Sequence, residues 1–313
     1  MDPPAEKIHH PKVSIIILNW NGLDDTAHCL ESLEKMTHPN YDIVVVDNGS
    51  KGNDAQILRK KFKDYIHIIE NDKNYGFAEG CNIGMRYALK NSAPDYILLL
   101  NNDTTVAPDF LAEMVKIAES DPLIGIAGPK IYFYDAPNKI QSVGAQIDWS
   151  NGQSFSVGHN EIDMGQFDNI REVDWVYGCA LLIKRTTIED IGLLDPAYFA
   201  YVEEVDWCVR CKKSGHKVVF IPQAKIWHKG HFGPDEVSSL PLYYMTRNRL
   251  LFMWKHARKS QFISFLVRFL YNELLLPTIV VLLRRRGDTK RLSIYYRATY
   301  DGIRLIIRRN KSH

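Results

Sequence analysis

The chain has 313 residues, of which 45% are hydrophobic and 24% charged, and its formal net charge at pH 7 is +2. This length and composition predict one large folded domain with an appendage, and the polar residues 1–11 lack the pattern of a signal peptide. The five cysteines are odd in number and scattered, which argues against a disulfide framework and favours reduced thiols in the cytoplasm.

The first repeating pattern is a strand, a helix and a second strand. Residues 13–18 and 41–46 are short apolar runs rich in β-branched residues, as in strands buried on both faces. A helix through about residue 35 connects them, and its first turn has only Gly22, so the glycine spacing of a dinucleotide-binding loop is missing. Polar residues follow both strands, and we expect them to contact a nucleotide: Asn19, Asn21, Asp47, Asn48 and Ser50.

A second polar turn, residues 74–82, precedes a helix that runs to about residue 90. Its glycines permit close backbone approach, and a helix N-terminus attracts phosphate or polar base edges. The other interpretation is a tight turn with asparagine capping. The nucleotide-binding candidates in this turn are Asn74, Gly76, Phe77, Gly80 and Asn82.

The apolar strand at residues 95–100 stops at Asn101, Asn102 and Asp103. Ligands of open α/β sheets bind at the carboxyl ends of the strands. Asp103 is therefore placed to hold Mg²⁺ or Mn²⁺ against a diphosphate, with Asn101 and Asn102 beside the nucleotide sugar. The competing interpretation is an Asx turn before the helix that starts near Pro108.

Three carboxylates, those of Glu203, Glu204 and Asp206, fall within four residues. On a helix, Glu203 and Asp206 share a face and Glu204 points elsewhere. Crowded carboxylates raise one another's pKa, which suits a general base. The alternative is a solvated acidic first turn favoured by the helix dipole.

Seven strings in this order together resemble family 2 glycosyltransferases of the GT-A fold, and within them a rhamnosyltransferase-like branch. The strings are VSIIILNWNG, VVVDNGS, NYGFAEGCN, LLLNNDT, GCALLIKR, AYFAYVEEVDWCVR and IWHKG, and the resemblance covers roughly residues 12–230. The resemblance implies an α/β fold, with a parallel-dominated mixed sheet flanked by helices.

The resemblance also implies roles for particular residues. Glu204 matches the second acidic position of the family's motif and would be the base of an inverting transfer. Glu replaces the commoner Asp at this position, so Glu203 and Asp206 stay candidates, and Asp206 is expected to orient the helix or the acceptor. His228 resembles a late histidine that completes the shell of the metal, and His231 is the neighbouring alternative.

The predicted layout has four parts: an N-terminal tail (1–11), a nucleotide-sugar-binding half (12–130), an acceptor and catalytic half (131–240), and a C-terminal helical region (241–313). In the second half we expect irregular or antiparallel structure at 131–169, strands at 175–183, 217–221 and 226–228, and a mobile lid at 229–240.

The C-terminal region has 16 lysines and arginines against Glu273, Asp288 and Asp301, a net charge of +13, which leaves −11 for the rest. Its apolar run at 274–283 precedes Arg284, Arg285 and Arg286. Because charged residues and Pro277 interrupt the pattern, we predict an interfacial amphipathic segment on an anionic membrane rather than a transmembrane helix. Packing on the body or a homodimer contact is the alternative, and no module for nucleic-acid recognition is evident.

The expected function is transfer of one sugar, from dTDP-rhamnose or a UDP-sugar, to a glycan or polyprenyl-linked acceptor at the inner face of the cell membrane, in cell-surface polysaccharide synthesis. Two other classes remain open, a non-catalytic nucleotide-sugar- or glycan-binding relative and a nucleotidyltransferase that forms sugar nucleotides. A processive synthase is disfavoured because its Gln-x-x-Arg-Trp motif is missing.

Overall fold

The computed structural model describes residues 10–230, 239–284 and 289–310. Its strands are β1 Val13–Asn19, β2 Tyr41–Asp47, β3 His67–Glu70, β4 Tyr96–Asn101, β5 Thr104–Val106, β6 Ile124–Phe133, β7 Ala136–Ser142, β8 Ala145–Asp148, β9 Gln153–Ser156, β10 Arg171–Glu172, β11 Ala180–Lys184 and β12 Lys217–His228. Its helices are α1 Leu23–Leu33, α2 Asp54–Phe62, α3 Gly76–Asn91, α4 Phe110–Ser120, α5 Arg185–Ile191, α6 Glu203–Lys213, α7 Ser239–His256, α8 Lys259–Phe269, α9 Leu276–Arg284 and α10 Thr289–Asn310.

A mixed sheet forms the centre of the described chain, in the order β10-β12-β6-β11-β4-β1-β2-β3, with β5 beside β12 and β7 beside β6. The strands β4, β1, β2 and β3 run parallel, whereas β11 is antiparallel to both β4 and β6. The predicted mixed α/β fold is confirmed, with parallel pairing concentrated in its N-terminal half. The chain order reverses between β1 and β4, and the carboxyl ends of strands at such a switch point form a ligand crevice.

Strand β1 shows why its sequence is apolar at almost every position. Ile16 packs into one hydrophobic core, and Ile15 and Ile17 pack into a second core on the opposite face of the sheet. All three are at most 1% exposed. Helices cover both faces of the sheet. A strand that alternated polar and apolar residues would therefore supply no apolar side chains to one of the two cores.

Strand β12 differs from the prediction of two short strands. It runs without a break from Lys217 to His228, parallel to β6, with a register shift between Ile221 and Lys225. Pro222 lies in that shift, where a residue without an N–H interrupts the ladder but does not end it. Strand β11 is shorter than predicted, because it begins at Ala180 and not near residue 175.

The C-terminal region is helical, as predicted, but its apolar segment is more continuous than expected. Residues Lys259–Leu283 form one helical stretch that is long and apolar enough to cross a membrane by length and composition, and 6% of its most apolar window is buried. A wide π-helical turn at Leu270–Leu275 precedes Pro277. Such turns accommodate a proline, which lacks an N–H, without ending the helix. Arg285, Arg286, His231 and most of the predicted lid lie outside the described residues, as do residues 1–9 of the tail.

Candidate active site

A cavity of about 490 Å³ lies at the carboxyl ends of the strands around the switch point. Its walls come from the β4–β5 turn, the end of β12, the segment before β11 and the first turn of α6. It is lined by Phe77, Asn101, Asp103, Gln141, Tyr177, Gly178, Cys179, Ala200, Tyr201, Glu203, Glu204, His228, Gly230 and Pro241. Segments that are distant in sequence therefore meet in one cavity.

Sheet register brings Asp103 and His228 together. Strand β5 pairs antiparallel with the end of β12, so that Thr104 lies opposite His228. The Lys229 N–H donates a hydrogen bond to the Asp103 carbonyl (3.0 Å), which fixes the turn between β4 and β5. As a result, His228 Nε2 lies 3.2 Å from Asp103 Oδ1.

The orientation of the His228 ring suits a cation between the two side chains. His228 Nδ1 lies 2.9 Å from Gln141 Oε1, and this contact holds the ring with Nε2 facing Asp103. Asn101 Oδ1 is also buried in this cavity, with no hydrogen-bond partner among the described residues. The unpaired amide oxygen of Asn101, the Asp103 carboxylate and the His228 ring nitrogen are ligand types that fit a divalent ion.

The donor set is small. Across the described ranges, no cluster of three or more His, Cys, Asp or Glu side chains with metal-binding geometry is present. Mg²⁺ is commonly held by one or two carboxylates together with substrate phosphates, and Mn²⁺ also accepts an imidazole. Asp103 and His228 therefore fit an ion whose remaining positions are filled by a bound diphosphate.

Glu203 and Glu204 occupy the first turn of α6, and both line the cavity. Each has a buried Oε2 atom with no hydrogen-bond partner in the described part of the chain. Burial raises the pKa of Glu204 from its ordinary value to about 7, despite stabilising backbone hydrogen bonds. Burial, followed by the charge of Glu204, raises the pKa of Glu203 well above its usual range. This pair can hold a proton near neutral pH.

Asp206 lies outside the cavity, and its surroundings are the opposite of those of Glu204. It is fully buried, and it receives hydrogen bonds from Arg210 Nε at 2.8 Å and from His256 Nε2 at 2.7 Å, with Lys255 Nζ also at 2.7 Å. The hydrogen bond from His256 and the neighbouring cations hold its pKa far below its usual range, against the effect of burial. A permanently charged, fully partnered carboxylate suits orientation of α6 rather than proton transfer.

The predicted nucleotide contacts at the ends of β1 and β2 form one polar network, which is buried at Asn19 and Asp47 and reaches the surface at Asn21. Asn19 Nδ2 donates to Asp47 Oδ1 at 2.8 Å, and Thr26 Oγ1 donates to Asn19 Oδ1 at 2.8 Å. Ser50 Oγ accepts from the Asn21 N–H at 2.9 Å. The structure therefore brings these residues together beside the switch point.

Residues of the turn at 74–82 either hold the turn against β2 or line the cavity. Asn48 joins it to β2, since Asn48 Nδ2 donates to Asn74 Oδ1 and to the Gly76 carbonyl, each at 3.1 Å. Phe77 lines the cavity. Gly76 has a φ of +83°, and an added Cβ would lie 2.5 Å from the carbonyl oxygen of Phe199, so the turn requires glycine.

Three further residues predicted to contact the nucleotide also have contacts within the protein. Both ends of the Asn82 amide bond the backbone of Leu194, at 2.9 and 3.1 Å. An added Cβ on Gly80 would lie 2.6 Å from Leu18 Cδ1, so this glycine allows α3 to pack on β1. Asn102 Nδ2 donates to Thr26 Oγ1 at 3.0 Å. These contacts within the protein fix the position of each residue, and their nucleotide contacts stay a prediction.

Sequence reasoning missed several residues of the cavity. Gln141 orients His228, and Tyr177 lies beside Glu204, whose charge adds to burial in raising the tyrosine pKa to about 12. Tyr177 immediately precedes the GCALLIKR string, and Gly178 is its first residue, so that string carried a usable signal. Nothing in the sequence near Gln141 marks it.

Comparison with known proteins shows the family to which the chain belongs. The family model described as glycosyl transferase family 2 matches residues 14–177, and the model for glycosyl transferase family group 2 matches residues 96–285. The chain therefore belongs to glycosyltransferase family 2, as its seven strings predicted, and it is a glycosyltransferase that uses nucleotide-sugar donors.

Several curated relatives are similar over most of their length. A low-salt glycan biosynthesis hexosyltransferase of Haloferax volcanii is 27% identical over 76% of this chain and 74% of its own. A dTDP-rhamnosyl transferase of Shigella flexneri is 24% identical, over 87% and 89%. An N-acetylglucosaminyl-diphospho-decaprenol L-rhamnosyltransferase of Mycobacterium tuberculosis is 24% identical, over 69% and 76%.

Solved structures share the fold at low sequence identity. A mannosyltransferase from Pyrobaculum calidifontis, in complex with GDP-Man and Mn²⁺, aligns with a TM-score of 0.58 at 15% identity, over 96% of this chain and 86% of its own. S. aureus TarS 1–349 with UDP-GlcNAc aligns with a TM-score of 0.59 at 15% identity, over 94% and 81%. These matches confirm the expected fold class.

Proposed function

We propose that this enzyme transfers a single sugar from a nucleoside diphosphate sugar to an acceptor hydroxyl, with inversion at the anomeric carbon and with the help of a divalent cation. One observation carries the proposal. A buried carboxylate with a pKa near neutrality, that of Glu204, lines the same cavity as the Asp103–His228 pair. A base and a cation site in one cavity are the two requirements of this reaction.

In the proposed reaction, Asp103 and His228 hold Mg²⁺ or Mn²⁺, with Asn101 beside them. When bound, the cation offsets negative charge on the departing diphosphate. Glu204 accepts the proton of the acceptor hydroxyl while the hydroxyl oxygen bonds to the anomeric carbon. The bond from that carbon to the diphosphate oxygen breaks on the opposite face. The products are an inverted glycoside and a nucleoside diphosphate, and Glu204 is left protonated until it releases the proton to solvent.

For the donor, we propose dTDP-rhamnose or a UDP-sugar. The nucleoside would lie over the polar network at the ends of β1 and β2, near Asp47 and the turn at residues 74–82. Support comes from the exposed Trp20, 50% accessible between Asn19 and Asn21, which offers an aromatic surface beside that network. The Shigella relative is named for dTDP-rhamnosyl transfer, and TarS was solved with UDP-GlcNAc.

For the acceptor, we propose a glycan or a polyprenyl-linked sugar at the inner face of the cell membrane. The stretch Lys259–Leu283 supports this proposal because it exposes large apolar side chains, among them Val267 at 64%, Leu282 at 72% and Leu283 at 78%. Exposed apolar surface next to a basic segment favours an anionic membrane. The mycobacterial relative is named for a lipid-diphosphate-linked acceptor.

The test uses the purified full-length protein with Mn²⁺ and a panel of nucleotide sugars. Donor binding is measured as a thermal shift, and turnover is measured as nucleoside diphosphate release with and without a polyprenyl-diphosphate-linked sugar. We expect one donor to raise the unfolding temperature and to release nucleoside diphosphate in an acceptor-dependent way. Release of pyrophosphate would indicate a nucleotidyltransferase instead, and binding without release of either product would indicate a non-catalytic module.

A further inference from the structure

The loop at residues 199–202, which leads into the first turn of α6, has an unusual backbone. It connects the 3₁₀ turn Pro196–Tyr198 to Glu203, and three of its residues have positive φ: Phe199 (64°), Tyr201 (68°) and Val202 (75°). Positive φ is unfavourable for bulky and β-branched side chains. Such a backbone persists only where the surrounding structure holds it.

Helix α7 supplies most of that support through two adjacent side chains. The Asn248 side chain is fully buried, and its Nδ2 donates to the carbonyls of Tyr198, Ala200 and Tyr201 at 2.9, 2.8 and 2.7 Å. Arg247 Nη2 donates to the carbonyls of Ala197 and Tyr198 at 2.8 and 2.7 Å. The one carbonyl in this run that α7 does not hold, that of Phe199, accepts from the Ala78 N–H at 3.1 Å.

The two side chains also orient each other. Arg247 Nε donates to Asn248 Oδ1 at 2.9 Å, which turns the amide so that its NH₂ group faces the loop carbonyls. Tyr244, one helical turn earlier on α7, stacks on Phe199 with ring centroids 5.0 Å apart. The Asn248 amide therefore has a single orientation in which all of its groups are bonded.

We propose that Arg247 and Asn248 are positioning residues for Glu204, and that they act through the loop backbone rather than by touching the substrate. The inference rests on the proposed role of Glu204 as the base. Two loop residues, Ala200 and Tyr201, line the catalytic cavity, and Val202 is the N-cap residue of α6. The conformation at Val202 therefore sets the direction in which the first turn presents Glu203 and Glu204.

The first experiment compares Asn248→Ala with Tyr243→Phe in the full-length protein. Tyr243 is also on α7, and its hydroxyl donates to Asp301 Oδ2 on α10 at 2.7 Å, so Tyr243→Phe removes an α7 hydrogen bond that does not reach the loop. For Asn248→Ala we expect kcat to fall about 100-fold, because reacting groups need close alignment. We expect the dissociation constant of the donor to change less than threefold, and Tyr243→Phe to behave as wild type.

The pH dependence of kcat separates positioning from general destabilisation. If the loop relaxes and hydrates Glu204, its pKa falls toward that of an ordinary glutamate, and the half-maximal point of the rising limb shifts to lower pH by about one unit. The milder Arg247→Lys variant, which loses the bond to Asn248 Oδ1 but keeps the charge, is expected to shift the limb in the same direction. If Asn248→Ala does not fold, the pH dependence of kcat is measured with Arg247→Lys in its place.

Two results would overturn the proposal. One is a folded Asn248→Ala or Arg247→Lys variant with wild-type kcat and pH profile. The other is a variant that weakens donor binding while kcat is unchanged, which would make this a donor-binding loop. Glu204→Gln, measured in parallel, separates this failure from failure of the proposed function: an inactive Glu204→Gln with an active Asn248→Ala rejects only the positioning role, whereas a fully active Glu204→Gln rejects the base itself.

Discussion

At the scale of single residues, the environment of Glu204 sets its proposed chemistry. Its carboxyl group lies in a cavity wall with one oxygen unpaired among the described residues, and burial raises its pKa to about 7. Asp206, only two residues away, has a pKa far below its usual range because His256, Arg210 and Lys255 surround it. Two neighbouring carboxylates therefore have opposite environments, which is how a fold separates a proton acceptor from a fixed charge.

The first prediction concerns the pH dependence of turnover. A base must be deprotonated to act, so kcat should rise with pH and reach half its maximum where Glu204 titrates, near its pKa of about 7. Glu204→Gln should lower kcat by about 10²- to 10⁴-fold with donor affinity nearly unchanged. Glu189→Gln, a change in an exposed ion pair with Arg185, is the control and should keep the wild-type profile. A profile that is flat between pH 5 and 8 would contradict the assignment.

The second prediction concerns the cation. In Asp103→Asn, the amide replaces an anionic ligand, so Mn²⁺ binding in the presence of a nucleoside diphosphate should weaken at least about tenfold. Electron paramagnetic resonance of free Mn²⁺ reads this directly and does not depend on turnover. Asp64→Asn, at an exposed position, should bind Mn²⁺ like the wild type. Unchanged Mn²⁺ binding in Asp103→Asn, or full activity in excess EDTA, would remove Asp103 from the site.

Local sequence identified many residues of the site but not their partners. Asp103 and Glu204 stand out because each belongs to a polar or acidic cluster that follows an apolar or aromatic run. The contact between Asp103 and His228 depends on β5 pairing with β12, which no local pattern specifies; only family resemblance suggested it. Asn248 and Arg247 lie in an ordinary helical segment, and their importance depends on backbone carbonyls about 50 residues earlier in the chain.

At the scale of elements, α6 is held at its base by a charge cluster that extends into the C-terminal helices. Asp206 on α6 contacts Lys255 and His256 of α7. Asp195, which precedes the loop at residues 199–202, contacts Lys255 of α7 and Arg309 of α10. We propose that the catalytic body, predicted at residues 12–240, also includes α7 and the end of α10. The boundary expected at residue 240 would then divide elements that depend on each other.

The third prediction follows from this cluster. Asp206→Asn removes a buried anion and leaves the partly buried Arg210 and Lys255 without it, and should lower the free energy of unfolding by about 3–5 kcal/mol. Because the folded-state pKa of Asp206 is depressed, its stabilising contribution is present at neutral pH and is lost as the pH falls below the ordinary value of 3.8. The difference between variant and wild type in urea unfolding should therefore be largest near pH 7.

The control for this prediction is a surface ion pair. His216 Nε2 lies 2.9 Å from Asp190 Oδ2, whose side chain is 56% exposed. Asp190→Asn should change the free energy of unfolding by less than about 1 kcal/mol. Equal effects for Asp206→Asn and Asp190→Asn would show that the buried cluster does not stabilise α6.

Sequence patterns predicted the bounds of some strands more accurately than those of others. Strands β1, β2 and β4 have continuous apolar runs because helices cover both faces of the sheet, and their ends were predicted within one or two residues. The two ends of β12 were predicted as separate strands. Pro222 lies between them, and pairing with β6 continues beyond this irregularity. A local pattern cannot reveal a neighbour that holds a strand together.

At the scale of the whole molecule, charge and apolar surface are unevenly distributed. The C-terminal residues 241–313 carry a net charge of +13, and the exposed apolar stretch Lys259–Leu283 lies within them. Burial of apolar side chains and attraction to anionic lipid would act together at this end of the chain. We therefore propose membrane association, with a homodimer contact as the competing use of the same surface.

The fourth prediction tests this proposal. Full-length protein should float with vesicles that contain anionic lipid, and less so at high salt, because each basic residue near the surface contributes about 1 kcal/mol. Changing both Leu282 and Leu283 to Gln should reduce flotation. Leu123→Gln, which alters an exposed leucine (49%) in the catalytic body, should have no effect. If the surface is a dimer contact instead, the double variant will become monomeric in sedimentation and the wild type will ignore the vesicles.

The central claim is inverting transfer from a nucleoside diphosphate sugar. The most direct measurement is nuclear magnetic resonance of the first product, with the one-bond carbon–proton coupling read at the anomeric carbon and compared with that of the donor. We expect the opposite anomeric configuration and one nucleoside diphosphate per glycoside formed. Retention of the donor's configuration, or formation of pyrophosphate, would contradict the roles proposed for Glu204 and for the cavity it lines.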